Sequence, residues 1–309
     1  MVTLPSLIES NITQIIRGKD EIVKQTIICL LAEGHLLIED IPGVGKTTLA
    51  LALAKSLDLS FQRVQFTSDL LPSDILGVSI YSPKNNTFEF KKGPIFHHIV
   101  LADEINRSTP KTQSALLEAM NERHVSMDNQ TWILPEPFLL MATQNPYEHY
   151  GTYPLPESQR DRFLMRISMG YPAQKYEKEI LRKEIDIHSI EKLSPVTTKE
   201  DVLKSISEVR KVRVDESLDD YILKIAEETR KSPFLDLGVS PRGCIALRKA
   251  AQANGYLENR TYTIPDDIKK NAVCVLSHRV MVKSLNSDLE TESAAKIIGE
   301  ILDRIPVPM

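Results

Sequence analysis

The turn that follows the first apolar segment constrains this chain most. His35–Glu39 (HLLIE) reads as a short buried strand. It passes directly into Asp40-Ile41-Pro42-Gly43-Val44-Gly45-Lys46-Thr47, and then into Thr48–Ser56 (TLALALAKS), a strong helix former. Glycines let the backbone aim several N–H groups at one point, and the helix that follows adds its positive N-terminal end. In such a turn Lys46 supplies a point charge for β- and γ-phosphates, and Thr47 a hydroxyl for Mg2+. The strict spacing G-x-x-x-x-G-K-[ST] is not met, because Asp40 holds the first glycine's place. Asp tolerates unusual backbone angles better than most residues, so the turn survives the exchange.

Around this turn, strand-like and helix-like segments alternate. Phe61–Phe66, Ile99–Ala102, Phe138–Ala142 and Phe163–Ser168 read as four further strands. Thr109 and Pro110 open a helix that runs to about Arg123. Such alternation predicts a parallel five-stranded sheet covered on both sides. The third strand ends in Asp103 and Glu104, 57 residues after Lys46. A parallel strand beside the phosphate-loop strand would bring Asp103 to the magnesium and Glu104 to an attacking water. Asn145 follows the fourth strand, and an amide at a strand tip can orient that water. Arg160 and Arg162 flank Asp161 before the fifth strand, and Arg242 opens a later helix. Isolated arginines are usually solvated surface; these gain meaning only as members of the pattern.

A length of 309 residues predicts about two domains. From Pro172 on, helical segments at 174–186, 199–209, 217–231, 241–254, 265–281 and 289–303 are punctuated by Ser232-Pro233, Ser240-Pro241 and Ile264-Pro265. They predict an all-helical second domain after a boundary near 172–195. Two short hairpins interrupt the first domain, one around Asn85-Asn86 and one around Asp128-Asn129.

Composition bears on partners rather than fold. Lys+Arg total 38 against 42 Asp+Glu, a net charge of −4, with no basic arm. That disfavours nucleic acid as a partner. The longest apolar runs, such as Ile27–Ala32, are far short of the ~20 residues of a membrane span. MVTLPSLIESN lacks a basic stretch followed by an apolar one, so no leader is expected. Cys29, Cys244 and Cys274 form no CxxC pair, which predicts buried thiols in a reducing, cytoplasmic setting. His97, His98 and His149 lack ligand spacing, so no metal beyond Mg2+ is expected.

Taken together these residues resemble the AAA+ ATPases, and more narrowly the MoxR family of the helix-2-insert branch. The resemblance covers residues 10–309. It is most specific in GHLLIEDIPGVGKTTLA (34–50), GPIFHHIVLADEINRSTPKTQSALLEAMNER (93–123) and PFLLMATQNPYEHYGTYPLPESQRDRF (137–163). MoxR-type loops commonly carry Asp where Asp40 stands. The resemblance implies an αβα P-loop core over 1–172, a linker over 173–194 and a helical lid over 195–309. It implies ATP held by Pro42, Gly43, Val44, Gly45, Lys46, Thr47 and Thr48 as Walker A. Asp103 and Glu104 would be Walker B, with Thr47 and Asp103 on Mg2+. Ile16 and Gly18 would pack around the adenine. Asn145 matches sensor 1, Arg242 sensor 2, and Arg162 the arginine finger offered to a neighbouring subunit, with Arg160 the second choice. The hairpins match the helix-2 insert and the pre-sensor-1 insertion, with Phe88 and Trp132 read as packing residues. The implied function is ATP hydrolysis by a hexameric homo-oligomeric ring. That ring would remodel or mature a client protein, with metal insertion and a von Willebrand A domain among the associations of the family. The alternatives are a chelatase-type or nucleic-acid motor subunit of the same branch, and an ATP-binding switch.

Overall fold

Leu36, Leu37 and Ile38 are all fully buried, which a strand achieves only when both faces of its sheet are covered. The computed structural model of the chain, described for residues 4–147, 151–182, 190, 192–283 and 290–308, has that arrangement. Strands β1 (Leu36–Glu39), β2 (Phe61–Gln65), β5 (Ile99–Asp103), β8 (Leu139–Gln144) and β9 (Met165–Ile167) form one sheet in the order β2-β5-β8-β1-β9. Each neighbouring pair is parallel. Alternate residues feed two cores. Leu36, Ile38, Leu101 and Met141 pack with α1 (Leu4–Thr13), α2 (Asp20–Leu31) and α3 (Lys46–Ser56). Leu37, Val100, Ala102 and Leu140 pack with α4 (Pro72–Leu76) and α5 (Pro110–Glu122).

The five expected strands all form. The neighbour of β1 is different from the expectation, however. β8 lies between β1 and β5, so Asp103 approaches the phosphate loop from two strands away. α3 starts at Lys46, two residues before the expected helix, so that Lys46 and Thr47 lie in its first turn. Helix α5 forms as expected, but the Thr109 hydroxyl meets that of Thr112 (3.2 Å) instead of capping the backbone. α1 and α2 precede the first expected element, and the Ile27–Ala32 run is the buried end of α2.

The hairpins form as β3 (Gly77–Ser82) with β4 (Thr87–Lys92), and β6 (His124–Met127) with β7 (Gln130–Ile133). Asp128 and Asn129 both take positive φ, as a tight hairpin turn requires. The two hairpins touch: Trp132 stacks on Phe90 with ring centroids 4.8 Å apart, and the Ser79 hydroxyl donates to Asp128. Trp132 is thus a packing residue. Phe88 is not, being 73% exposed, with an edge contact to Tyr81 at its side.

The short α6 (Glu157–Arg160) precedes β9, and after β9 come α7 (Gln174–Arg182), α8 (Lys199–Lys211), α9 (Glu216–Lys231), α10 (Pro241–Leu257), α11 (Pro265–Leu276) and α12 (Glu290–Arg304). Among the described residues the regular elements of this half are helices, apart from a ribbon that pairs β10 (Leu235–Leu237) with β11 (Met281–Val282) and a single bridge between Arg213 and Tyr262. The helix expected over 265–281 stops at Leu276, because Ser277–Arg279 forms a tighter turn anchored by Arg279. α10 packs on α2, and the core under the sheet continues between them. Residues 183–189 and 191 of the expected linker, and His149, lie outside the described residues. The three cysteines are free; Cys29 and Cys244 are buried and Cys274 partly so. Among the described residues no helix is long and apolar enough to cross a membrane.

Candidate functional site

The loop after β1 bends at two glycines with positive φ, Gly43 (82°) and Gly45 (96°). A Cβ at either position would meet nothing closer than 3.8 Å, so the glycines serve the backbone angle and not the space. Asp40 needs no such angle. It is buried and works through its carboxylate, which accepts from Ile41 N (2.9 Å), Gly170 N (2.7 Å) and the Ser168 hydroxyl (3.1 Å). Aspartate thus pins the loop to the segment after β9, a task a glycine could not perform.

Lys46 Nζ donates back to the carbonyls of Asp40 (2.9 Å) and Ile41 (3.2 Å). Burial lowers its pKa from the usual lysine range, against the pull of Asp103, Asp40 and Glu104. A cleft of about 370 Å³ opens above the loop. Pro42, Gly43, Gly45, Lys46, Thr47 and Thr48 line one side, and Asp103, Glu104 and Asn145 the other. Val44 turns away and packs against the core. These residues come from the ends of β1, β5 and β8, since a parallel sheet delivers all its carboxyl ends to one edge.

Thr143, fully buried, joins the two acids. Its hydroxyl donates to Asp103 Oδ1 (2.6 Å) and accepts from the Glu104 N–H (2.8 Å). Glu104 itself takes a left-handed backbone conformation, φ 59° and ψ 48°, unusual for a non-glycine. Gln65 Nε2 donates to its carboxylate at 2.5 Å, and Arg107 lies 3.3 Å away. Sequence reasoning missed Gln65, Arg63 and Thr143. The first two follow only from register: β2 pairs with β5 so that Gln65 stands opposite Asp103. Thr143 announced itself only as a polar residue in an apolar strand.

The remaining expected site residues lie elsewhere. Ile16 is buried in the core, and Gly18 (φ +70°) is covered by the ring of Tyr176, which a Cβ there would strike at 2.0 Å. Neither lines the phosphate cleft. Arg162 and Arg242 line a second cleft of about 230 Å³ with Gly34 and His35, at the opposite end of β1. The four residues of β1 put about 10 Å between its two ends. Arg162 Nη1 donates to the Leu117 carbonyl (3.1 Å). Asp161 beside it accepts from Arg279 Nε (2.8 Å) and the Ser240 hydroxyl (3.3 Å), with Arg242 at 4.0 Å. One carboxylate therefore ties the Arg162 segment to the start of α10. A second tie links the end of β1, where the phosphate loop begins, to the same half: Arg166 donates to Glu39 (2.9 Å) and to the Ser277 hydroxyl (3.0 Å).

Comparison with known proteins agrees with this geometry. Residues 35–165 match the AAA_3 family, described as ATPase family associated with various cellular activities (AAA). Residues 227–301 match the AAA lid domain. Uncharacterized protein YeaC of Bacillus subtilis is 51% identical over 97% of this chain and 93% of its own length. Chaperone MoxR1 of Mycobacterium tuberculosis is 38% identical over 96% of this chain and 81% of its own. A 2.00 Å crystal structure of a Cytophaga hutchinsonii protein superposes with a TM-score of 0.88 at 38% identity, covering 98% of this chain and 94% of that one.

Proposed function

This chain belongs to the MoxR family of AAA+ ATPases, and from that premise we propose how its own residues bind and cleave ATP. The carrying observation is that Lys46, Thr47, Asp103, Glu104 and Asn145, set at or just after the carboxyl ends of β1, β5 and β8, meet in one cleft. The loop N–H groups and the start of α3 cradle the phosphates. Lys46 exchanges its two loop carbonyls for the β- and γ-phosphates. Glu104 polarises the attacking water and Asn145 orients it.

Thr47 and Asp103 suit Mg2+, a hard cation that takes one or two protein oxygens and completes its shell with phosphate and water. The fit has support in the structure, because the cleft-facing oxygen of Asp103 already attracts a cation, the guanidinium of Arg63. When bound, Mg2+ neutralises charge building on the phosphates.

Arg162 and Arg242 serve the nucleotide of the next copy, an effect worth about 10³–10⁵-fold in related NTPases. Their place at the far end of β1 from their own loop supports this reading. The core (1–172), linker (173–194) and lid (195–309) then work as a hexameric ring. Turnover, relayed from Glu39 through Arg166 to Ser277, moves the lid and remodels a client protein, with maturation of a metal-bearing or von Willebrand A partner as the family's pattern suggests. The test is Glu104→Gln. ATP binding, read with a fluorescent nucleotide, stays, while phosphate release falls at least about 100-fold. Unchanged turnover would overturn the assignment.

A further inference from the structure

Asp103 is held on both of its oxygens. Thr143 donates to Oδ1 at 2.6 Å from inside the sheet. Arg63 donates to Oδ2 twice, from Nε at 3.0 Å and Nη2 at 2.7 Å. The carboxylate side chain is 12% exposed and the arginine 48%, so the guanidinium covers the carboxylate from the solvent side. Arg63 is itself steadied by Gln65, whose Oε1 accepts from Nη2 at 2.8 Å. Both residues point from β2, the edge strand of the sheet, into the phosphate cleft.

The position that a divalent cation would take on Asp103 is therefore filled by a cation of the chain's own. We propose that Arg63 is the resident counter-ion of Asp103, keeping free divalent metal off the carboxylate until the metal arrives with a nucleotide. This rests on the reading of Asp103 and Thr47 as the metal-holding pair. A bare divalent ion offers nothing to the arginine it must displace. It also surrenders hydration for only two protein oxygens, which Mg2+ does reluctantly. A metal–nucleotide complex changes both terms. Its phosphate oxygens complete the metal's shell, and they give the displaced guanidinium a planar anionic partner suited to its paired donors. Arg63 thus couples metal entry to nucleotide entry, and it guards the ATPase site against being plugged by metal alone.

The probe is Mn2+, whose free concentration is read by electron paramagnetic resonance on the full-length, nucleotide-free protein. Arg63→Gln should bind Mn2+ about tenfold more tightly than the wild type. Arg63→Lys, a point charge without the fork, should fall between them. With a non-hydrolysable β,γ-imido ATP analogue, wild type and both variants should all take up Mn2+. The gain must vanish in the Arg63→Gln, Asp103→Asn double variant; a gain that persists there places the metal elsewhere and overturns the proposal. An equal gain from Arg107→Gln also overturns it, since that would be a general field effect. No gain in either Arg63 variant overturns it as well. In that case Asp103→Asn alone separates the two failures: if it abolishes analogue-dependent Mn2+ uptake, the metal-holding pair stands and only the role of Arg63 falls.

Discussion

The one hydroxyl of Thr143 serves two acidic residues, donating to the Asp103 carboxylate and accepting from the Glu104 backbone N–H, and it has no exposed surface. Thr143→Val keeps the shape and removes both bonds, leaving the Glu104 N–H and Asp103 Oδ1 unpaired beside each other. Each unpaired group costs about 1–3 kcal/mol, so urea unfolding should show a loss of at least that size. Turnover should fall further, because the left-handed turn at Glu104 depends on that N–H bond. Thr143→Ser, which keeps the hydroxyl, should recover most of both. At this scale the sequence was legible where the chemistry is local. Gly43, Gly45, Lys46 and Thr47 stand within five residues, and their types alone dictate the turn. It was illegible where a contact depends on register. Arg63 and Asp103 are 40 residues apart, and no spacing rule connects them. By residue type Asp40 reads as a tolerated departure, whereas its carboxylate is a working part of the loop.

Between elements, the interactions that matter are the desolvated ones. Arg279 is buried and its guanidinium donates to Asp161 and to the carbonyls of Phe163 (2.5 Å) and Leu164 (3.0 Å), joining the Arg162 segment to the turn after α11. Burial pushes its pKa down only to about 10, so it stays charged at neutral pH. Asp161→Ala would strand that charge, and the expected cost is about 3 kcal/mol, with Arg162 and Arg242 losing their common anchor. Asp219→Ala breaks a pair of similar length with Arg248, but both partners are about two-fifths exposed, so under about 1 kcal/mol should be lost. Urea midpoints of the two variants make the comparison. Helix boundaries marked by Pro110, Pro241 and Pro265 were readable because a proline fixes the first turn. The β10–β11 ribbon was not, since three residues and two residues carry no periodicity. Nor was the order of the sheet, which depends on how the β1, β5 and β8 connections cross and not on any one strand's composition.

For the molecule as a whole, pH is a simple probe. Burial, with help from Arg123, lowers His35 to about 3, and its Nδ1 accepts from the Leu140 N–H (3.1 Å). Unfolded, the same ring takes its proton near 6.5. The unfolded chain therefore binds more protons between these values, and stability falls as pH drops from about 6.5 toward 3, by up to about 1.4 kcal/mol per unit for this group. Buried His278 acts in the same direction. His35→Asn, whose amide oxygen can replace Nδ1, should flatten the dependence between pH 7 and 5 in urea titrations. The proposed assembly has its own test. Lys46→Ala and Arg162→Ala chains, each inactive alone, should regain phosphate release when mixed, because one supplies the loop and the other the arginine. The two clefts that such a contact joins lie at opposite ends of β1, so they are different patches of surface. A two-fold axis pairs a patch with itself and would complete no site; only a heterologous contact can, and it either closes into a cycle or winds on as an open helix. The rotation per step would then be set by where α10 carries Arg242 relative to Arg162, which makes the Asp161 anchor a parameter of symmetry as well as of stability.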